Sequence, residues 1–414
     1  MPQNELKDLL KLLPKKIDES SSSDGTDPNS NCSDCSTSSM PSKQKIDIES
    51  LWLDCSVSTC QASPSHLLVQ TTDFFYPLID CPFTQGQIAC ANVLSDLYST
   101  GITHCDNLLM LLGVCRTLPQ EIRSIITKEL ASGFSSHASL AQSRVSGGQT
   151  VFNPWFIIGG VASSVIDRQK FSPPIRAIPG DVIVLTKPLG TQPAVNAYQW
   201  MVNARRIKVP LYDLFISFFI SITFYSFSLY ILFFILIFVL TEEKKKSYTE
   251  KPPAIIRWEK ALEFLTEEDV FNAFKTSVVS MRRLNKTAAM LMNKYDFHAC
   301  TDVTGFGLVG HAQNLCESQE LSVDFEIHTL PLIPKTKDIV KMSSFKLLEG
   351  LSAETSGGLL ICLPKENAEL FCQEILKEEG FPAWIIGSVK EGFFFLFFFL
   401  LFIILLYLLF YSVF

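Results

Sequence analysis

Three aspartates set beside small or hydroxylated residues, and one pair of glycines, are the parts of this sequence best suited to chemistry. They lie in Gln70-Thr-Thr-Asp73, Ala91-Asn-Val-Leu-Ser-Asp96-Leu-Tyr98, Thr301-Asp-Val-Thr-Gly-Phe-Gly307 and Ser146-Gly-Gly-Gln-Thr150. Asp54 adds a fourth carboxylate. Carboxylates are hard oxygen ligands matched to Mg²⁺. A glycine turn presents backbone N–H groups to phosphate. Phosphoryl transfer on a nucleotide carrying several metal ions is the chemistry these parts suggest. Aspartates gathered at one place need such cations, because like charges raise one another's pKa. Taken singly, each aspartate reads better as a cap or turn residue. The setting of Asp302, at a strand end beside hydroxyls and two glycines, weighs against that. Ser146 to Thr150 lacks the Gly-x4-Gly-Lys pattern of a Walker A loop, and alone a plain turn is the equal or better reading. Glu354-Thr-Ser-Gly-Gly358 has the same ambiguity. His298 and His311 flank the Asp302 segment and read as structural rather than catalytic.

The elements that must position these residues follow from periodicity and punctuation. Leu67 to Thr72 predicts a strand ending at Asp73. Gln85 to Thr100 predicts a helix carrying Asp96, closed by Gly101. Leu108 to Val114 is a buried strand. Thr117 is placed to cap a helix with Pro119 in its first turn and Gln120 completing a capping box, running to Ala141. A Gly147-Gly148 turn follows, then a strand over 151–158. After the Pro179-Gly180 turn come a strand over 181–186, a helix from Thr266 and Asp269 to Met292, and a strand over 297–300 leading to Asp302. Helices over 307–317 and 366–378 and strands over 321–327, 359–363 and 383–389 complete the reading. The irregular alternation predicts an α+β class rather than a doubly wound sheet.

The chain has 414 residues, room for two ordinary domains. Its formal net charge of -7 and lack of a basic block exclude a nucleic-acid partner. The short Lys244–Lys246 run reads as a solvated stretch. Twelve cysteines without a repeating spacing, and no signal peptide at the start, fit a reducing cytoplasm. Cys32-Ser-Asp-Cys35 has zinc spacing, but no second ligand pair follows.

Two uncharged runs stand apart: 27 residues from Leu214 to Leu240 and 22 from Phe393 to Phe414. Each is long enough to span a bilayer, which leaves a membrane location as the alternative. Together they hold 17 of the 33 phenylalanines, and neither contains the Gly or Ala that membrane helices use for close packing. A span at 214–240 would also put Asp96 and Asp302 on opposite sides of a membrane. Both runs are expected to be translated non-coding sequence, since U-rich triplets encode these residue types. The expected organisation is a helix over 1–17, a Ser-rich disordered linker over 18–45, and a nucleotide- and metal-binding domain over 46–184. A second domain over 185–392 follows, interrupted by an apolar insertion at 208–250, with a non-native tail at 393–414.

The motifs together are specific. Leu68 to Asp73, Ile88 to Tyr98, Asp106 to Gly113, Gly147-Gly-Gln-Thr-Val-Phe-Asn-Pro-Trp155, Leu185-Thr-Lys-Pro-Leu-Gly-Thr-Gln192, Arg283-Leu-Asn-Lys-Thr-Ala288, Thr301 to Asn314 and Glu354 to Cys362 closely resemble selenophosphate synthetase (selenide, water dikinase) of animal type. The resemblance implies that ATP, selenide and water give selenophosphate, AMP and phosphate, supplying selenium for selenocysteine synthesis. It implies a two-domain fold like that of aminoimidazole ribonucleotide synthetase, each domain a mixed sheet with helices packed on it, and a homodimer joined through the first-domain sheets. By the family pattern Asp54, Asp96 and Asp302 bind Mg²⁺. Asp54, Asp73, Asp96, Gly147, Gly148, Gln149 and Thr150 contact ATP. Asp54 is the weakest carry-over, because Trp52-Leu53 stands where the family has Gly-Met. The family's cysteine or selenocysteine and its lysine are expected upstream of Met1, with the true start before an in-frame UGA that encodes selenocysteine, so the chain as written is expected to be inactive. A catalytically inactive nucleotide-binding relative, a membrane-anchored binding protein, and a kinase or ligase for another small molecule are the alternatives.

Overall fold

The computed structural model describes residues 54–208 and 252–392. The expected helix over 1–17, the linker over 18–45, Cys32 and Cys35, most of the 208–250 insertion and the tail over 393–414 lie outside the described residues. Among those described, no helix is long and apolar enough to cross a membrane.

The first half is built from β1 (Ser56–Thr59), β2 (His66–Phe75), α1 (Pro82–Ser99), β3 (Asn107–Cys115), α2 (Gln120–Leu140), β4 (Val145–Asn153) and β5 (Ile157–Asp167). Its sheet runs β1-β2-β5-β3-β4 and is mixed: β3 and β4 are parallel, the other neighbours antiparallel. Along β2 the side chains alternate between faces. Leu67, Val69 and Thr71 are buried under the helices, while Gln70, Thr72 and Phe74 are exposed on the open face. Helix α1 lies on β2 and β5 and packs closely on α2. The crossing depends on Gly86 and Gly133. A Cβ on Gly86 would meet the Leu130 carbonyl oxygen at 2.1 Å, and one on Gly133 would meet that of Phe83 at 1.8 Å.

The second half contains β6 (Val182–Leu185), α3 (Thr191–Lys208), α4 (Pro253–Ala261), α5 (Glu267–Arg282), α6 (Lys286–Lys294), β7 (Ala299–Asp302), α7 (Gly307–Glu317), β8 (Val323–Ile327), α8 (Thr336–Ile339), β9 (Leu359–Leu363), α9 (Lys365–Glu379) and β10 (Trp384–Glu391). Its sheet runs β7-β9-β6-β10-β8 and is antiparallel at every ladder. Strands β6 and β9 are buried at every position, which matches their unbroken apolar sequences. Leu308, Ala312, Leu360 and Ile386 centre one core; Trp200, Trp258 and Val270 centre another among α3, α4 and α5. The halves meet where Ile88 of α1 packs with Val195 and Met281.

Most expected elements are present with their ends shifted by a few residues. Four differences have physical causes. The Gly147-Gly148 turn is not a turn; both residues sit inside β4. Gly148 has φ 146, and a Cβ there would lie 1.9 Å from the Met110 carbonyl oxygen, so glycine serves the close approach of two parallel strands. The strand expected over 151–158 is the end of β4 and the start of β5, separated at Pro154, which cannot donate to a ladder. Thr117 does not cap α2. The helix starts after Pro119 with no side-chain cap, and the Thr117 hydroxyl instead lies 3.2 Å from Cys115 Sγ. The helix expected to reach Met292 stops at Arg282 and restarts as α6 after Asn285, although its Thr266–Asp269 capping box is formed as expected.

Candidate metal and nucleotide site

Helix α1 presents a polar stripe of Asn92, Asp96 and Ser99, three or four residues apart and therefore on one helical face. Asn92 Nδ2 donates to Asp73 Oδ2 at 2.8 Å. Asp96 Oδ2 accepts from the Thr71 hydroxyl at 2.5 Å. The Ser99 hydroxyl donates to Asp54 Oδ2 at 3.1 Å. Residues 71 and 73 share the helix-facing side of β2, so a strand period of two meets a helix period of four. From the other half, Asp302 stands at the end of β7. The neighbouring Thr301 hydroxyl donates to Asp54 Oδ2 at 2.8 Å. The outcome is that Asp54, Asp96 and Asp302 bring carboxylate oxygens within 4.8 Å of one another.

The electrostatics of this cluster are unfavourable as it stands. Burial, then the charges of Asp302, Asp54 and Asp73, pushes the Asp96 carboxyl well above its ordinary value, against the Thr71 hydrogen bond. Burial and Asp54 raise Asp302 to about 8, with the Ser95 hydroxyl and Lys187 pulling it back. Asp73 rises to about 6 by burial, offset by Asn92 and raised further by Asp54. Asp302 Oδ2 is buried with no hydrogen-bond partner among the described residues. Three hard oxygen donors within reach of one point, one of them orphaned, fit a divalent cation such as Mg²⁺.

The glycine segment is elsewhere. Asp73 is paired with Gly160, Gly160 with Met110, and Met110 with Gly148. At about 4.8 Å per strand, Gly148 lies about 14 Å across the sheet from Asp73. Gly147, Gly148, Gln149 and Thr150 are all exposed on β4, the edge strand. The two histidines have local partners. His298 Nδ1 pairs with Asp181 Oδ2 at 2.8 Å, and His311 Nε2 lies 3.2 Å from the Thr304 hydroxyl.

The site's surround is completed by the 354–358 segment and by Ser95, Asn285 and Lys187, of which sequence reasoning did not single out the last three. The Ser356 N–H donates to Asn92 Oδ1 at 2.9 Å, and Asn285 Nδ2 donates to Ser95 Oγ and the Gly357 carbonyl, each at 2.9 Å. Buried Lys187 donates to the carbonyls of Arg283 at 2.6 Å and Ser356 at 2.8 Å. The spacing of Asn92, Asp96 and Ser99 on α1 was a readable signal for the first of these contacts.

Residues 53–166 match the family described as AIR synthase related protein, N-terminal domain, and residues 263–396 match its C-terminal domain. The chain is 46% identical over 343 residues to "Selenide, water dikinase" of Dictyostelium discoideum, covering 82% of this chain and 80% of that protein. The chain belongs to the selenide, water dikinase family. It is 45% identical over 329 residues to "Selenide, water dikinase 2" of Homo sapiens, covering 78% of this chain and 62% of the human protein. The chain thus spans about three-fifths of that relative's length. Among solved structures, AaThiL complexed with AMPPCP and TMP aligns with a TM-score of 0.50 at 18% identity, covering 82% of this chain and 85% of that one. Hydrogenase maturation protein HypE in complex with ATP aligns with a TM-score of 0.50 at 15% identity, covering 78% and 77%. These two likenesses establish the shared fold of the family, α+β with two sheets.

Proposed function

We propose that this chain is a selenophosphate synthetase, converting ATP, selenide and water to selenophosphate, AMP and phosphate. The observation that carries the reading is the convergence of Asp54, Asp96 and Asp302 at the seam of the two halves, in a member of the selenide, water dikinase family. Formation of AMP requires both phosphoanhydride bonds of ATP to break, with the two released phosphoryl groups passing to selenide and water. Bound Mg²⁺ would neutralise charge on the phosphate oxygens. Asp54, Asp96 and Asp302 hold the ions, and Asp73, turned toward the same cleft by Asn92, orients the nucleotide with them.

Gly147 to Thr150 lie too far from Asp73 to grip the same phosphates within one copy. We place them against the nucleotide of a second copy, in a homodimer joined through the first sheets. The open face of that sheet supports this reading: Phe74 of β2 and Val151 of β4 are both more than half exposed on it, and Tyr76 and Trp155, just past the two strands, are exposed as well.

The test is thermal unfolding with Mg²⁺ and a non-hydrolysable ATP analogue, followed by ³¹P NMR detection of AMP and selenophosphate when selenide is added to the chain carrying a fused N-terminal segment with a cysteine and a lysine. The reading expects Mg²⁺-dependent stabilisation that is lost in Asp302→Asn. No response of the unmutated chain to Mg²⁺ would overturn it. A nucleotide-binding relative without catalytic activity would show the stabilisation but no selenide-dependent AMP under any condition.

A further inference from the structure

Lys187 is 1% exposed, just beyond the end of β6, and it touches none of the carboxylates by a hydrogen bond. A buried ammonium is costly unless its charge and donors are used. Its two acceptors both belong to segments that reach across to α1. The Ser356 carbonyl is one. Ser356 has φ 47, a left-handed conformation that non-glycine residues hold only when their surroundings over-determine it. Lys187 grips its carbonyl while Asn92 accepts from its N–H, and Asn92 in turn donates to Asp73. The Arg283 carbonyl is the other acceptor, in the break between α5 and α6. Two residues on, Asn285 donates to Ser95, the neighbour of Asp96. Arg283 is itself fixed, by an ion pair with Glu379 at 3.2 Å and a bond to the Thr186 carbonyl.

We propose that Lys187 is a positioning residue for the metal site: a buried clamp that fixes the 283–285 and 356–357 segments, and through Asn285 and Asn92 sets the carboxylates of α1 and β2 against Asp302. The inference rests on the metal-site reading above. No other charged side chain donates to both segments among the described residues.

The test compares unmutated protein, Lys187→Met, Asn285→Ala and the double variant, all without nucleotide. Free Mn²⁺ is titrated by electron paramagnetic resonance, and thermal unfolding is followed in EDTA. Changing a residue that orients metal ligands typically weakens binding about 10–100-fold. Lys187→Met should show a loss of that size while unfolding cooperatively in EDTA. Asn285→Ala removes one branch and should weaken Mn²⁺ by about three-fold or more, still short of the Lys187→Met loss. Because the two variants share the Asn285 branch, the double variant should lose less than the product of the single losses. A folded Lys187→Met with unchanged Mn²⁺ affinity, or fully multiplicative losses, overturns the clamp while leaving the metal site standing. If Lys187→Met does not fold, unchanged affinity in Asn285→Ala overturns it. Absence of Mn²⁺ binding by the unmutated protein overturns the metal site and the clamp with it.

Discussion

Replacing Gly86 by alanine opposes two effects of known size. Gly86 is inside α1, and alanine there raises helix propensity by about 1 kcal/mol. The new Cβ would lie 2.1 Å from the Leu130 carbonyl oxygen and 2.7 Å from the Phe134 nitrogen, both backbone atoms of α2 that no rotamer change can move. An ordinary contact needs about 3.5 Å, so the helices must part by about 1.4 Å. A gap of about 1 Å already forfeits roughly half of each dispersion contact along the crossing, and overpacking of this kind costs about 1–3 kcal/mol. The steric term meets or exceeds the propensity gain, and Gly86→Ala should be destabilised by up to about 2 kcal/mol in urea unfolding. The displacement also carries Asn92 and Asp96, so the stabilisation by Mg²⁺ should shrink in the same variant. Gly133→Ala, whose Cβ meets Phe83 from the other side, should behave alike. A Gly86→Ala protein that gains stability, as propensity alone demands, would refute the reasoning.

Asp302→Asn removes one of three repelling carboxylates, so it should raise the unfolding temperature in EDTA while abolishing the Mg²⁺-dependent rise, both read in one pair of thermal scans. Glu354 accepts from the N–H groups of Gly190 and Thr191 at the start of α3, at 2.6 Å and 2.8 Å, and burial outweighs these bonds to raise its pKa to about 7. The native state therefore binds more protons than the unfolded state from about pH 4.5 to 7, and stability falls as pH rises through that window. The difference is about 3 kcal/mol at roughly 1.36 kcal/mol per pKa unit. Urea midpoints from pH 4 to 8 should fall more steeply in the unmutated chain than in Glu354→Gln, where the raised carboxyls of Asp73, Asp96 and Asp302 keep a residual slope of the same sign; the variant should also be less stable at pH 5 because its amide points a donor at an N–H. Thr266→Ala breaks the capping box of α5, whose Thr266 Oγ1 accepts from the Asp269 N–H at 3.1 Å, and should cost about 1 kcal/mol in the same assay.

Sequence pattern carried the reading furthest where one local rule decides the structure. The unbroken apolar runs at 182–185 and 359–363 are central strands, and Thr266 with Asp269 caps a helix. The reading failed where a residue type has two uses. Gly147-Gly148 serves both turns and close strand packing, and only the pairing of β3 with β4 decides between them. Thr117 has the spacing of a cap but turns to Cys115. In the site, the acids were visible because their neighbours are unusual. Lys187 and Asn285 were not, although both lie in motifs that carried the resemblance. Their role depends on which carbonyls a distant strand end and helix break bring together, and no local period encodes that.

The carboxylates come from two separate halves, with Asp73 on a strand and Asp96 on a helix of one and Asp302 on a strand of the other. An ion held by Asp96 and Asp302 is therefore a latch across the seam. Linkage is reciprocal: whatever tightens the grip of the halves on each other must raise ion affinity by the same factor. Chelation should then do more than silence a site. It should loosen the seam, and amide hydrogen exchange would report this first along α1, the helix of the first half that packs against the second.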